Sequence, residues 1–211
     1  MDFRKPWQKN AFFTKTMKQK SKTVGLYFGS FNPIHTGHLI VAQYMIENTD
    51  IDTLWFVVSR LNPLKTPEGL LEDEKRFELV RLATEDNPLT EACDIEFSLP
   101  SPSYTVDTLA ELEKRCPDTE FCLIMGQDNI STFHLWKDYR SILSSHRIFV
   151  YPRPHCESCE LLSHPSVTLT SAPMIDISST YIRQCVAENK SIRYIVAEKV
   201  REKIERENYY K

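Results

Sequence analysis

The ten residues at positions 29–38, Gly-Ser-Phe-Asn-Pro-Ile-His-Thr-Gly-His, constrain this chain more than any other stretch. An apolar run at residues 24–28 precedes them and has the length and composition of a strand. Apolar residues then recur at Leu39, Ala42 and Ile46, the spacing of an amphipathic helix. The stretch is therefore predicted to be the turn of a βα unit. Such a turn directs backbone N–H groups and the positive end of the helix dipole at one point, which suits a phosphate.

Two histidines and a glycine give this turn its chemistry. Gly29 lets the backbone pass close to a ligand, because no Cβ stands in the way. His35 and His38 are three residues apart, so both imidazoles are expected on the same side of the helix mouth. In the alternative interpretation, one histidine caps the helix and the other is an ordinary surface residue. A phosphate site explains both histidines and the glycine together, and we prefer it for that reason.

The rest of the chain alternates between predicted strands and helices. Apolar runs of strand length occur at residues 54–58, 121–125, 148–151 and 167–169, and a short strand is predicted near Ile95 and Phe97. This order predicts an α/β fold: a Rossmann-like, doubly wound, mainly parallel sheet with helices on both faces, in a single domain. In such sheets, ligands bind beyond the carboxyl ends of the strands.

Helices are predicted from apolar spacing and from capping residues. One passes through Phe77, Val80 and Leu82, and the last pairs Val196, Val200 and Ile204 at four-residue spacing.

A third helix is expected to open at Ser101-Pro102, with the serine as N-cap and the proline in the first helical position. It would continue through Val106, Leu109 and Leu112. Asp107 would lie inside this helix and have a structural role.

The composition limits the classes of function. The 211 residues are most simply one domain, and 41% hydrophobic with 26% charged side chains is ordinary for a globular protein. No apolar run approaches the roughly 20 residues that cross a bilayer, so no membrane partner is expected. Residues 23–211 hold 19 basic and 28 acidic side chains, a net charge of −9. Nucleic acid is therefore not expected as a partner, because that affinity depends on many phosphate contacts.

The N-terminal arm, residues 1–22, has seven basic side chains and one acidic one, and it is predicted to be disordered. Met17 would itself serve as a start, shortly before the first predicted strand. The arm is rich in Lys, is interrupted by Pro6 and lacks the apolar run of a secretory signal. The six cysteines show no framework spacing, which favours a reducing compartment. We therefore expect a cytoplasmic protein.

A second set of residues near the C-terminus also suits an anion. Ser178 or Ser179 is expected to cap a helix that follows the last predicted strand. The freed backbone amides there, with Thr180, would face the anion, and Arg183 would return to the same place one turn later. An ordinary capped helix with a surface arginine is the alternative.

These motifs resemble those of the nucleotidylyltransferase superfamily, which has a His-x-Gly-His after the first turn and a Ser-x-Thr-x-x-Arg near the end. Between them, Ser-Tyr-Thr at residues 103–105, Gly126-Gln127-Asp128 and Leu135-Trp136 resemble the bacterial-type nicotinate-mononucleotide adenylyltransferases. The resemblance covers residues 23 to about 205. It implies that residues 23–211 form the nucleotidylyltransferase domain.

The resemblance implies an enzyme that joins ATP to nicotinate mononucleotide, giving nicotinate adenine dinucleotide and pyrophosphate, a step of NAD biosynthesis. His35, His38 and Arg183 would be catalytic. Further residues implied to bind ATP are Gly29, Ser30, Phe31, Gly126, Asp128, Ser178, Ser179 and Thr180. Residues implied to bind the mononucleotide are Asn32, Lys65, Tyr104, Thr105 and Trp136. Mg²⁺ would be bound through the phosphates of ATP, with no dedicated protein cage. Whether the chain forms a homo-oligomer is left open.

The sequence departs from the family pattern at two places. Leu64 stands before Lys65 where the family often has a histidine. His155 follows Arg153-Pro154 where the family usually has glycine, and a Cys-x-x-Cys pair comes next. Cys156 and Cys159, with His155 and His164, would supply half of a usual zinc signature. A variable surface loop is the default interpretation, and no protein-held metal is predicted.

Three other functions are compatible with parts of the pattern. A class I aminoacyl-tRNA synthetase would need a Lys-rich signature loop after the fold, and the only such cluster, at residues 18–22, is on the wrong side. Pantetheine-phosphate adenylyltransferase shares the first and last motifs, but the Tyr104-Thr105 pair and Trp136 speak against it. A non-enzymatic nucleotide sensor would usually have lost the histidines, and here both are present.

Overall fold

The computed structural model of the protein describes residues 22–60, 69–154 and 156–211. Within these ranges, six strands form one sheet in which every neighbouring pair is parallel. The strands are β1 (Lys22–Gly29), β2 (Thr53–Val58), β3 (Thr90–Cys93), β4 (Thr119–Gly126), β5 (Arg147–Tyr151) and β6 (Val167–Leu169). Their order across the sheet is β3-β2-β1-β4-β5-β6. The predicted doubly wound α/β fold is confirmed.

Seven α-helices connect or follow the strands in the described part of the chain. They are α1 (Thr36–Asn48), α2 (Asp73–Thr84), α3 (Thr105–Arg115), α4 (Gln127–Thr132), α5 (Tyr139–Ser145), α6 (Ser179–Ala187) and α7 (Glu198–Glu207). Short 3₁₀ turns occur at Ile95–Ser98, Phe133–Leu135 and Glu160–Ser163. None of the helices has the length and apolarity that a bilayer crossing requires, within the residues described.

The side chains of β1 alternate between two cores, one on each face of the sheet. Tyr27 packs with helices α1, α2, α6 and α7, whereas Val24 and Leu26 pack with α3, α4 and α5. Successive residues of a strand point to opposite faces, so a continuous apolar run serves both cores. The strand order reverses between β1 and β4, and a crevice therefore opens beyond their carboxyl ends.

The prediction of a strand near Ile95 and Phe97 is wrong. The strand lies earlier in the chain: it is β3, which pairs with β2 and ends at Cys93. The chain then turns, and the Phe97 amide donates to the Asp94 carbonyl at 2.8 Å. Ile95 is buried in the core on the α3 side, so its apolar character reflects packing from a 3₁₀ turn.

The predicted start of α3 at Ser101-Pro102 is also wrong, although the helix itself is confirmed. Helix α3 begins at Thr105, with Tyr104 as its N-cap. Buried Glu96 explains why the helix starts later in the sequence than predicted. Its carboxylate accepts from the Ser103 Oγ at 2.6 Å and from the Thr108 Oγ1 at 3.2 Å. These bonds hold the segment before the helix against the 3₁₀ turn.

Several predictions concern residues outside the described ranges. They are the predictions for Leu64, Lys65 and His155, and those for the N-terminal arm up to residue 21. Lys22, the last residue assigned to that arm, is the first residue of β1.

Candidate active site

A cleft of about 400 Å³ opens at the carboxyl ends of β1 and β4. Most of the predicted ATP-binding residues line it, together with Asn32. They are Gly29, Ser30, Phe31, His35, His38, Asp128, Ser178, Ser179, Thr180 and Arg183. The structure therefore brings together the two motifs from opposite ends of the chain.

His35 and His38 lie at the start of α1, with their rings stacked. The ring centroids are 3.7 Å apart and the planes are inclined by 22°. His35 is the N-cap, and its backbone N–H donates to the His38 Nδ1 at 3.3 Å. A Cβ added to Gly37 would lie 3.0 Å from the His35 Nδ1, so the glycine between the histidines leaves room for the ring.

The His35 ring is held neutral near pH 7. Burial, and secondarily the positive charge of Arg153, lower the pKa of His35 to about 4. The ring is only 4% exposed, and its Nδ1 is buried without a hydrogen-bond partner among the described residues. A neutral imidazole in this position can donate one hydrogen bond and accept another without bringing a charge of its own.

Gly29 lines the cleft and also makes room for the ring of Phe31. A Cβ at this position would lie 2.7 Å from the ring of Phe31, so it is that ring, packed over the backbone, that requires a glycine. Phe31 itself has a positive φ of 44° and packs edge-on against His38, with ring centroids 5.1 Å apart.

The Asn32 side chain ties the first turn to the segment before α2. Its Nδ2 donates to the Gly69 carbonyl at 2.8 Å, and its Oδ1 accepts from the Leu71 amide at 3.1 Å. Both ends of the amide are therefore used within the protein, although Asn32 lines the cleft.

The start of α6 forms the facing wall of the cleft. Ser178 is the N-cap, and its Oγ accepts from the Tyr181 amide at 3.2 Å. The Ser179 Oγ donates to the Pro33 carbonyl at 2.8 Å. Arg183 donates through Nη1 to the Asn32 carbonyl at 2.9 Å and through Nη2 to the Thr180 Oγ1 at 3.3 Å. We call residues 29–38 and 178–183 together the histidine corner.

Besides the starts of α1 and α6, a third wall of the cleft is formed by residues in or just after the strands β1, β4 and β5. Several of them were not selected in the sequence analysis. The Tyr27 hydroxyl donates to the Tyr151 hydroxyl at 2.9 Å, and the Arg153 Nη2 donates to the same hydroxyl at 3.3 Å. The Arg153 Nε is 3.8 Å from the Asp128 Oδ1. The signal for Arg153 was its place directly after β5, at the edge of the sheet where ligands bind.

Gly126 makes room for the Asp128 carboxylate. A Cβ at Gly126 would lie 2.2 Å from the Asp128 Oδ1. Gly126 is not among the residues that line the cleft, and it acts there through the position of Asp128.

The cleft combines several groups that attract anions. Helices α1 and α6 both begin at its edge, and their free N–H groups and dipoles favour negative charge. Arg153 and Arg183 add two guanidinium groups, against the single carboxylate of Asp128 among the lining residues. Histidines, arginines and hydroxyls arranged in this way can hold a chain of phosphates.

Three of the predicted mononucleotide-binding residues lie in a second cluster and are not among the residues that line the cleft. Tyr104 and Thr105 begin α3, and Trp136 follows a 3₁₀ turn and packs on Phe133 with ring centroids 5.0 Å apart. Lys137, next to Trp136, places its Nζ 4.9 Å from the centre of the Tyr104 ring. We call Tyr104, Thr105, Asp107, Trp136 and Lys137 together the aromatic corner.

The two sides of the aromatic corner are joined by one exposed ion pair. The Lys137 Nζ is 2.9 Å from the Asp107 Oδ2 and 3.1 Å from its Oδ1. Asp107 lies in the first turn of α3, within the helix as predicted, and the pair with Lys137 is at the surface.

The cysteine loop forms no recognisable metal centre in the described residues. No group of three or more His, Cys, Asp or Glu side chains that could hold an ion occurs in residues 22–60, 69–154 and 156–211. Cys156 and Cys159 are free and half-buried, and the His164 Nδ1 is 2.8 Å from the Ser166 Oγ. His155, the remaining member of the half-signature, lies outside these ranges.

Comparison with known proteins gives consistent results. The sequence model of the cytidylyltransferase-like family matches residues 26–185. A nicotinate-nucleotide adenylyltransferase of Flavobacterium johnsoniae is 50% identical over 190 residues, which are 89% of this chain and 98% of that protein. A relative of the same name from Bacteroides thetaiotaomicron is 44% identical over 185 residues, 88% of this chain and 91% of that protein.

A solved structure is also similar across nearly the whole fold. Nicotinic acid mononucleotide adenylyltransferase of Plasmodium falciparum, complexed with NaAD, matches with a TM-score of 0.75 and 21% identity, covering 90% of this chain and 97% of that chain. The same enzyme complexed with APC matches with a TM-score of 0.74. At this identity, the likeness shows a shared fold.

Proposed function

The chain belongs to the cytidylyltransferase-like family and, within it, to the nicotinate-nucleotide adenylyltransferases, and on that premise we propose how its cleft carries out adenylyl transfer. The protein joins ATP to nicotinate mononucleotide and releases pyrophosphate. A phosphate oxygen of the mononucleotide forms a bond to the α-phosphorus of ATP. The bond from that phosphorus to the bridging oxygen of the β-phosphate breaks, and nicotinate adenine dinucleotide remains.

This reaction needs no general base. The second pKa of a phosphate monoester is about 6, so the attacking oxygen is largely ionised near pH 7. The protein therefore contributes position and charge stabilisation, as in other phosphoryl-type transfers.

The histidine corner is assigned to the phosphates. His35 and His38, at the start of α1, would donate hydrogen bonds to phosphate oxygens as charge develops at the α-phosphorus. Arg183 and the amides and hydroxyls of Ser179 and Thr180, at the start of α6, would hold the departing pyrophosphate. Because the His35 ring is neutral, it would stabilise this charge as a hydrogen-bond donor.

The remaining groups are assigned to the two nucleosides. The Asp128 carboxylate, oriented by Arg153, would accept hydrogen bonds from the ribose hydroxyls of ATP. The aromatic corner would receive the pyridine ring, with Trp136 offering a flat face for stacking. Lys65 would meet the phosphate of the mononucleotide.

Mg²⁺ would reach the site on the triphosphate of ATP and neutralise part of its charge. The donors that line the cleft are imidazoles, guanidiniums, hydroxyls and one carboxylate, that of Asp128. Such a set suits an ion that keeps phosphate and water ligands better than one held in a cage of carboxylates.

One observation supports this proposal above the others. The imidazoles of His35 and His38, at the start of α1, are stacked with their ring centroids 3.7 Å apart. They face the start of α6 across the cleft. His35 and His38 also cap α1 through the bond from the His35 backbone N–H to the His38 Nδ1, and a row of phosphates would give both rings a further function at the cleft.

The experiment that tests the function is pyrophosphate release with Mg-ATP, using nicotinate mononucleotide in one reaction and nicotinamide mononucleotide in the other. We expect turnover, with the acid preferred. Equal rates with both substrates would support adenylyl transfer but contradict the preference for nicotinate mononucleotide. ATP binding without turnover of either would overturn the proposed function and favour a nucleotide sensor.

A further inference from the structure

Arg76 is a charged residue buried beneath the cleft. It lies in the first turn of α2, and its side chain is 0% exposed. Burial of an unpaired charge is costly, so a buried arginine must find partners for its donors. Its carboxylate partner among the described residues, Asp73, is 26% exposed and also pairs with Arg60.

All five N–H groups of the Arg76 guanidinium are used. Nε donates to the Leu71 carbonyl at 2.8 Å, and Nη1 donates to the Ser30 carbonyl at 2.6 Å and the Ser59 carbonyl at 2.7 Å. Nη2 donates to the Arg60 carbonyl at 3.0 Å and to the Asp73 Oδ1 at 2.6 Å. Four of the five acceptors are backbone carbonyls.

These carbonyls belong to three separate segments. Ser30 follows β1, Ser59 and Arg60 follow β2, and Leu71 precedes α2. Backbone groups beyond the ends of strands lack ladder partners and need other hydrogen bonds. One side chain therefore supplies them for all three segments at once.

The position of Ser30 connects Arg76 to the reaction. Ser30, Phe31 and Asn32 line the cleft, and the Asn32 side chain is bonded to Gly69 and Leu71, beside the carbonyl that Arg76 holds. Arg183 donates to the Asn32 carbonyl from the opposite side. A shift of the Ser30 carbonyl would move this whole wall.

We propose that Arg76 is a positioning residue for adenylyl transfer: it fixes the wall at residues 30–32 from below, without touching either substrate. The inference rests on the proposed function. Lysine cannot replace arginine here, because it offers three donors from one point instead of five in a planar fork. At least two of the five acceptors would lose their partner.

The test compares three variants of the full chain. Arg76→Met removes every donor, and Arg76→Lys keeps the charge with fewer donors. Val80→Ala is the matched control, since Val80 is fully buried in the same helix and is not among the residues that line the cleft. Folding is checked by thermal unfolding, and activity is measured well below each midpoint.

We expect kcat/KM to fall about 100-fold in Arg76→Met, since displacing reacting groups by about 1 Å has effects of this size. Arg76→Lys should recover part of the loss. The dissociation constant of ATP, measured by calorimetry, should rise in both. Val80→Ala should lower the unfolding midpoint but leave kcat/KM and ATP affinity within about threefold of the wild type.

Two results would overturn the inference: a folded Arg76→Lys whose kcat/KM and ATP affinity equal those of Val80→Ala, or the same outcome for Arg76→Met. If Arg76→Met does not fold, Arg76→Lys decides alone. Failure of the wild-type chain to release pyrophosphate would be a failure of the proposed function instead, and ATP affinity would still test the role of Arg76.

Discussion

The histidine corner and the aromatic corner are held together by different kinds of contact. The first is joined by hydrogen bonds between residues about 150 positions apart in sequence, such as Arg183 to the Asn32 carbonyl and Ser179 to the Pro33 carbonyl. The second is joined by the exposed pair of Lys137 and Asp107, with side chains 44% and 47% exposed. Exposed pairs of this kind contribute about 0–1 kcal/mol.

This difference indicates that the two corners have different functions in the reaction. A site that stabilises charge in a transition state must be rigid before the substrate arrives, because reorganisation during the reaction lowers the rate. A site that recognises a flat ring can close around it. We therefore expect changes in the histidine corner to lower kcat or weaken ATP binding, and changes in the aromatic corner to raise KM for the mononucleotide.

The largest effect should come from the histidine corner. His38→Ala removes a donor from the stacked pair, and the loss of one such donor typically lowers kcat about 10²- to 10³-fold. Pyrophosphate release at saturating substrates measures it. His164→Ala is the control, because His164 bonds Ser166 in the cysteine loop. A kcat of His38→Ala within about threefold of the wild type would show that the corner does not stabilise the transition state.

His35 should make stability depend on acid pH. Its pKa is about 4 in the folded protein against an ordinary value of 6.5 for histidine, so the unfolded chain binds more protons between these values. Stability should therefore fall as pH decreases from 6.5 to 4, by up to about 3 kcal/mol. His35→Asn keeps a capping residue and cannot titrate.

Urea unfolding of the wild type and His35→Asn over this pH range checks that prediction. The contributions of carboxylates cancel in the difference between the two proteins. The wild type should lose stability relative to the variant on the acid side. Parallel curves would mean that His35 is more accessible to water than its 4% exposure indicates.

Arg183→Lys should weaken ATP binding. The planar fork of Arg183 holds the Asn32 carbonyl and Thr180, and lysine cannot keep both. Hydrogen bonds to charged groups contribute about 1.5–3 kcal/mol, so KM for ATP should rise about 10- to 100-fold. Arg140→Lys, at an exposed position on α5, should change nothing. A larger rise in KM for the mononucleotide than for ATP would reverse the assignment of the two corners.

The smallest effect should come from the aromatic corner. Trp136→Ala removes a stacking face, worth about 1–3 kcal/mol for a base on an aromatic ring, so KM for the mononucleotide should rise at least about fivefold. Both kcat and KM for ATP should stay within about twofold. Leu135→Ala, which removes an adjacent side chain that is 63% exposed, is the control. A parallel rise in both KM values would indicate that the two corners are not independent.

The sequence predicted the sheet well because a parallel strand covered on both faces is a continuous apolar run. Strands β2, β4, β5 and β6 contain the predicted runs, and β6 matches residues 167–169. The errors at residues 95–102 arise where one buried side chain, Glu96, decides the local structure. A hydrogen bond between Glu96 and Ser103 leaves no periodic signal.

The residues behind the cleft were harder to find. The sequence analysis did not select Arg76, which shares the buried face of α2 with Leu79, Val80 and Ala83. An arginine three and four residues before buried apolar positions was the available signal. Tyr27 and Tyr151 resembled core residues of strands, and only the fold shows that their hydroxyls meet at 2.9 Å.

The bond from Arg183 to the Asn32 carbonyl joins residues 151 positions apart. Chains emerge from the ribosome from the N-terminus at about 5–20 residues per second, so both histidines are exposed for many seconds before Arg183 exists. During that time neither the facing wall nor the seat for the triphosphate has formed. Nucleotide binding should therefore appear only after residues 178–183 have been synthesised. A chain truncated between residues 38 and 178 should not bind the nucleotide through His35 and His38 alone.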